Sequence, residues 1–390
     1  MKLQKDYSFI RGFCHPGAWL MEDQATLEKE LGYAQRLNLN SSRIWLMKKF
    51  YDKDPDGFVE KLVKYVDTAY SYGITTMPIL WNGNGLDTSI LEEENWPKDE
   101  KYVRHVVEAL KDKTDEIIMW DIMNEPSCND HLRGVDPEVR VGRWDKMTKF
   151  LWHYCEFVKE LDPVNAITIG HTFVEDIEPT AECVDIISFH DYLETRNIIE
   201  NTYVEAEKLS SKYNKPLVNS ELACLGRANP YDLALEKCEE HNVGWYLFEL
   251  MIHGYWGDVH GIVYPDGTIR DPAIVAAIYG FYRKRDKATS IKPDPNKEGY
   301  AYRAIKMMED ALKQDITLFK NQKSSTDDIL EAAEYCANML EGSEMVPMYE
   351  PPTMTIQAWR DQKEEDRDVR AIRDFAYELI RTLKKYCQIF

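Results

Sequence analysis

Met119-Trp120-Asp121-Ile122-Met123-Asn124-Glu125-Pro126 reads as a strand closed by an amide, a carboxylate and a proline. Proline has no N–H to give a sheet ladder, so pairing stops there and Glu125 is held at a strand terminus. Outward from this stretch, eight strand-like runs follow one another. They are Ser8–Phe13, Ser42–Leu46, Thr75–Trp81, Ile117–Met123, Ala166–His171, Asp185–His190, Pro216–Glu221 and Val243–Leu250. Helical patterns alternate with them. In Thr26–Leu37 the apolar residues Leu27, Leu31 and Ala34 fall on one face of a 3.6-residue period. Phe58–Tyr72, Lys101–Leu110, Val139–Leu161, Ile198–Tyr213, Tyr231–His241 and Ile274–Tyr282 read likewise, and Thr172–Asp185 has room for only a turn. Eight β–α units in roughly 280 residues are the count and size of a (β/α)8 TIM barrel. The competing doubly wound sheet carries a glycine-rich turn after its first strand, which Phe13-Cys14-His15-Pro16-Gly17 does not supply. Polar and aromatic residues gather at the strand ends, where such barrels build their sites.

The barrel is assigned to residues 1–290 of the 390 and an α-helical region to residues 291–390. Lys292-Pro-Asp-Pro-Asn-Lys-Glu-Gly299 is the linker. Helices are expected over Tyr300–Gln314 and Asp327–Leu340, the latter capped by Ser325 or Thr326. A loop from Gly342 to Thr353 leads to a last helix whose stripe is Val369, Ile372, Phe375, Ala376, Leu379, Ile380 and Leu383. That stripe must be covered, by the barrel as a cap or by a second copy of the chain in a homo-oligomer.

With 48 Lys+Arg against 68 Asp+Glu, the formal charge is −20, which argues against a nucleic-acid partner. No apolar run reaches the roughly 18 residues of a membrane span, and the start has no signal-like stretch, so a cytoplasmic protein is expected. The eight cysteines contain no C-x-x-C pair and read as free thiols, with Cys128 and Cys224 within reach of a thiol reagent. No cofactor is expected. A metal site using His15, His171 and His190 would lack any H-x-H or H-E-x-x-H spacing, so none is assigned.

In the eight-strand order Glu125 closes strand 4 and Glu221 closes strand 7, so both point into one barrel mouth. Two facing carboxyls suit glycosidic bond cleavage. One protonates the leaving oxygen and the other attacks or stabilises the anomeric carbon. Their mutual repulsion is expected to keep one of them protonated near neutral pH.

This pattern resembles the clan A glycoside hydrolases, which include the family 5 cellulases and mannanases. Asn124-Glu125-Pro126 and Glu221 carry the resemblance, with Arg43 in Asn40-Ser-Ser-Arg-Ile-Trp45 and His190 and Tyr192 in Ser188-Phe-His-Asp-Tyr192. It implies that Glu125 is the general acid/base and Glu221 the nucleophile of a retaining β-glycosidase. Asn124 would bond the sugar 2-hydroxyl, Arg43 and Tyr192 would hold Glu221, and His190 would line the sugar site. The clan's strand 8 tryptophan has no counterpart at Phe248, and Trp256 in the following loop is a substitute platform. His15 and Trp81 are further substrate-binding candidates, with Trp19 beside them, whereas Trp45, Trp120 and Trp152 have core spacing. Long loops at Asn82–Pro97, Ser127–Pro137 and Ile252–Thr268 suggest a walled pocket and an exo-acting enzyme on short oligosaccharides or small β-glycosides. Transglycosylation with the same glutamates, a non-catalytic carbohydrate-binding barrel and a metal-dependent hydrolase are the other readings.

Overall fold

A computed structural model describes residues 3–16, 18–20, 23–280, 325–340 and 352–386, with the helical residues 305, 308, 309, 311 and 312. The chain divides into two compact units, Met1–Arg283 and Lys284–Phe390.

The first unit is a closed parallel barrel in chain order: β1 Arg11–Cys14, β2 Ser41–Trp45, β3 Thr75–Asn82, β4 Met119–Asn124, β5 Ala166–His171, β6 Ile187–Asp191, β7 Leu217–Leu222 and β8 Gly244–Leu247. Its helices are α1 Gln24–Arg36, α2 Lys48–Tyr51, α3 Pro55–Ser71, α4 Trp96–Leu110, α5 Pro137–Leu161, α6 Arg196–Tyr213, α7 Tyr231–Glu240, α8 Gly254–His260 and α9 Pro272–Ile278. Four of them begin earlier than apolar periodicity alone indicates, because Pro55, Pro97, Pro137 and Pro272 occupy the first helical turn, where a missing N–H costs nothing. Between β5 and β6 the chain makes only two 3-10 turns, Val174–Asp176 and Glu178–Thr180. β1 starts later than expected, since Tyr7–Ile10 closes a turn through the Ile10 N–H to the Tyr7 carbonyl.

Two apolar layers result. Met77, Ile79, Met119, Val218 and Tyr246 fill the barrel interior, while Ile44, Leu80, Trp120 and Ile122 face the helices with Leu31, Val103 and Tyr154. The alternation breaks where the register shifts, between Asp121 and Asn124 on β4 and between Asn219 and Leu222 on β7. Ile122 and Met123 both turn towards the helices, so Asn124 and Glu125 are re-aimed at the mouth.

The second unit holds helices Thr326–Leu340, Pro352–Arg360 and Val369–Tyr386. Ser325 caps the first reciprocally: its hydroxyl accepts from the Asp328 N–H and the Asp328 carboxylate accepts from the Ser325 N–H. Ile372, Ala376, Leu379, Ile380 and Leu383 of the expected stripe pack on Ile329, Leu330, Ala333 and Cys336, so this unit buries its own apolar face. The helix at Pro352–Arg360 replaces the end of the expected loop. The expected linker lies outside the described residues. Among the described residues no helix is long and apolar enough to cross a membrane.

Candidate active site

The strand ends converge on a cavity of about 220 Å³. Trp45, Asn82, Asn124, Glu125, Tyr192, Glu221 and Phe248 line its inner part, and Arg227, Trp256 and His260 its outer part. Arg43 organises the floor and is fully buried. Its Nη1 donates to Glu221 Oε1 at 2.5 Å, its Nη2 to Asp121 Oδ2 at 2.6 Å and to Asn124 Oδ1 at 2.8 Å. Burial would strip the guanidinium of its proton, but Asp121 and Glu221 outweigh it and keep Arg43 charged. Tyr192 donates to Glu221 Oε2 at 2.7 Å. Burial, then the charge of Glu221, raises the Tyr192 pKa well above the usual phenol value, so the hydroxyl remains a donor.

Glu125 is 8% exposed and Glu221 4%. An oxygen of each lies within 4.8 Å of the other and of a His190 nitrogen. His190 Nδ1 is 3.0 Å from Glu125 Oε1 and 3.6 Å from Glu221 Oε2, while Asn84 Nδ2 donates to Glu125 Oε2 at 2.7 Å. Burial pushes the Glu125 pKa up, yet His190, Asn84 and Cys128 outweigh it and hold it at about 2. For Glu125 a further effect stands beside the expected repulsion: the donors around it stabilise its anion more than burial opposes it.

Two glycines make room for this cluster. A Cβ on Gly170 would meet Arg43 Nη2 at 2.6 Å, and one on Gly83 would meet the Glu125 carbonyl at 2.0 Å. Glu125 takes a left-handed φ of 48°, clamped by its N–H to the Gly170 carbonyl at 2.7 Å. A non-glycine residue in that region is strained, and tight backbone pairing holds it there.

Not every expected residue reaches the cavity. His15 faces the helices, its Nε2 2.9 Å from Glu30 and its Nδ1 3.3 Å from the Tyr65 hydroxyl. Cys14 points inward, so the next residue points out. Trp81 is also corrected: its ring packs on Tyr102, Phe150 and Tyr154 because Leu80 and Trp81 both turn outward, leaving the inward place to Asn82. Trp19 packs on Phe58 and Tyr65, and His171 bonds Thr180 at 2.8 Å. Cys224 is fully buried, out of a reagent's reach, whereas Cys128 is half-buried. Phe248 does line the cavity, edge-on to Trp45 at 5.9 Å.

Sequence reading passed over Asp121, Asn84 and His260, and the core place it gave Trp45 is corrected, since that ring lines the cavity. Trp45 is two residues beyond Arg43 and so shares its inward face, with the guanidinium 4.8 Å from the ring. A carboxylate inside an otherwise apolar β4 was the available signal for Asp121. Asn84 lies in the loop after β3 and His260 ends the short α8, neither with a periodicity to read.

Glu125, His190 and Glu221 are also a donor set of the kind that binds metal ions. Both oxygens of each glutamate already accept from protein donors, however, which a cation would have to displace.

Comparison with known proteins accords with this geometry. The family model for cellulase, glycosyl hydrolase family 5, matches residues 6–253. Among solved structures, the endo-β-1,4-mannanase of Thermotoga petrophila aligns at 16% identity and a TM-score of 0.56, covering 72% of this chain and 78% of that one. The endo-1,4-β-mannanase of Rhizomucor miehei aligns at 15% and 0.55, covering 69% and 92%. A family 5 enzyme of Streptomyces cattleya, solved with Manβ1-4GlcNAc, aligns at 11% and 0.54, covering 71% and 79%. A search of curated proteins finds no match. At these identities the structural likeness establishes the fold, while the family model spans most of the barrel: this chain belongs to glycosyl hydrolase family 5 and is a glycoside hydrolase of a retaining family.

Proposed function

We propose that the protein cleaves small β-glycosides or short β-linked oligosaccharides by double displacement, with Glu221 as nucleophile and Glu125 as acid/base. The observation that carries this is the approach of the two carboxyls, an oxygen of each within 4.8 Å. Retaining sites hold their carboxyls about 5–5.5 Å apart, whereas inverting sites need about 6.5–9.5 Å for a water molecule.

In the first half-reaction a Glu221 oxygen bonds the anomeric carbon as the glycosidic C–O bond breaks, and the leaving oxygen takes a proton from Glu125. In the second, Glu125 takes a proton from water, whose oxygen displaces Glu221. Ionised, as its donors hold it, Glu125 is in the state that the second step needs. For the first, the sugar covers Glu125 and strengthens the desolvation that pushes its pKa upward. Arg43 and Tyr192 each donate to one oxygen of Glu221 and hold it oriented. Asn124, fixed between Arg43 and Asn82, faces the sugar 2-hydroxyl. Phe248, Trp45 and the half-exposed Trp256 supply apolar walls for the sugar's C–H faces.

The test is Glu221→Gly assayed on a panel of nitrophenyl β-glycosides. Turnover should fall by at least about 10³-fold, and azide should restore it with an α-glycosyl azide as product. Unchanged turnover rejects Glu221 as nucleophile. Sugar-induced thermal shifts without any turnover by the wild type would mark a binding protein instead. Products extended by one sugar would mark a transglycosylase.

A further inference from the structure

The outer wall of the cavity carries a cation that the proposed reaction does not use. Arg227 ends the 3-10 turn Leu225–Arg227 after β7, and its exposed side chain lines the cavity. The guanidinium lies 4.6 Å from the centre of the Tyr192 ring. Among the described residues no carboxylate lies within ion-pair distance of it, and its five N–H groups have no acceptor, in contrast with Arg43. The backbone that carries it is anchored: Asn229 Oδ1 accepts from the Ala223 N–H at 2.7 Å, and Asn229 Nδ2 donates to the Leu193 carbonyl at 2.6 Å.

A second polar group faces the same space. His260, at the end of α8, is 2% exposed, lines the cavity, and its Nδ1 has no hydrogen-bond partner. Its ring is 5.1 Å from Phe248, 6.0 Å from Tyr192 and 5.7 Å from Trp256. Arg270 holds α8 in place by donating to the Gly257 and Asp258 carbonyls. Burial, then Arg227 and Arg270, lowers the His260 pKa to about 4, so the imidazole is neutral; its Nε2 lies 3.6 Å from Cys224 Sγ, which leaves Nδ1 as the nitrogen without a partner among the described residues.

We propose that Arg227 and His260 receive an anionic substituent of the substrate, so that the saccharide cleaved carries a phosphate or a carboxylate. This rests on the glycosidase reading above. Sugar hydroxyls need no full charge to be bound, whereas the planar guanidinium fork matches a carboxylate or phosphate with two parallel hydrogen bonds. The position assigns the charge to one side of the scissile bond. Tyr192 bridges from Arg227 to Glu221 Oε2, so the anion lies one tyrosine ring from the nucleophile. Asn84 and Cys128 flank Glu125 from the β3 and β4 loops, across the barrel mouth from the β7 and β8 loops. The substituent therefore belongs to the sugar retained on Glu221, on its exocyclic carbon or on the sugar beyond it, and not to the leaving group.

The test compares nitrophenyl β-glucosides, β-mannosides and β-galactosides with their 6-phosphates and with the corresponding uronides, using the full chain. One anionic member should exceed its neutral parent in kcat/KM by at least about tenfold. The ratio should fall towards one in Arg227→Gln, be partly kept in Arg227→Lys, and stay unchanged in the charge-matched control Arg104→Gln. Phosphate against uronide in the panel separates the two sources of charge. Equilibrium binding of the same panel to a Glu125→Gln/Glu221→Gln double variant reads the preference without turnover. Equal or better use of neutral parents, or no anionic member bound, overturns the inference. A wild type that binds anionic members through Arg227 and turns over none would instead defeat the glycosidase reading and leave this one standing.

Discussion

The floor and the outer wall of the cavity each hold an arginine, in opposite states. On the floor, Arg43 is fully buried and divides its donors among Asp121, Asn124 and Glu221. On the wall, Arg227 is exposed and stacked on Tyr192 with no ion-pair partner among the described residues. The floor arginine is spent on holding other side chains, so removing it disturbs the protein before any substrate arrives. The wall arginine makes no ion pair among the described residues and only stacks on Tyr192, so its loss registers chiefly when a ligand is present. Pairing thus separates preorganisation for chemistry from recognition of substrate.

The sharpest way to break the contrast is Arg43→Met. It leaves Asp121 and Glu221 buried without their counter-charge, and should cost about 3–5 kcal/mol of stability by denaturant unfolding as well as abolishing turnover. Gly170→Ala comes next. Its methyl group would press on Arg43 Nη2, and a displacement of that size should lower kcat about 10²-fold while the fold persists by circular dichroism.

Asn84→Ala removes one of the donors that hold Glu125 low. The Glu125 pKa should rise from about 2 towards the ordinary carboxylate range, read by carboxyl NMR titration, with kcat falling about tenfold.

Glu249 supplies a pH test of the floor. Burial, then the charge of Glu221, raises its pKa to about 8, and its Oε1 has no hydrogen-bond partner. A carboxyl whose folded pKa lies above its unfolded value contributes stability below about pH 4.5 and loses it as pH rises through about 8. Glu249→Gln, neutral at every pH, should match the wild type at pH 4 and melt at a higher temperature than it at pH 8, seen in paired thermal scans. The smallest effect is Trp81→Phe: because that ring faces α4 and α5, stability should drop modestly and KM should not move.

Much of this molecule was legible along the chain. The strand and helix patterns identified the barrel, and prolines in first helical turns account for most boundary shifts. At the site, the sequence marks Arg43, Asn124, Glu125, His190, Tyr192 and Glu221, and the structure brings them into one hydrogen-bonded cluster. The failures concern the face that a side chain takes. Strict alternation along β3 would place Trp81 with Met77 and Ile79, but the outward turn of both Leu80 and Trp81 reverses it. The same alternation, continued from Arg43, would have brought Trp45 into the cavity instead of the core. His15 was placed by its nearness to a strand end, without counting faces from Cys14.

The amino-acid order by itself determined the alternation of strands and helices, hence the closed barrel and two glutamates at strand termini. Those are local properties: side-chain period, proline geometry, apolar stripes. Only the tertiary structure decided that Arg43 serves Asp121 as well as Glu221, and that donors from the loops after β3 and β4 and from β6 surround Glu125. It alone leaves Arg227 stacked on Tyr192 beside His260, with no ion-pair partner among the described residues. Pairing depends on distances between residues remote in the chain and on the low dielectric around them, and neither is written in any one segment.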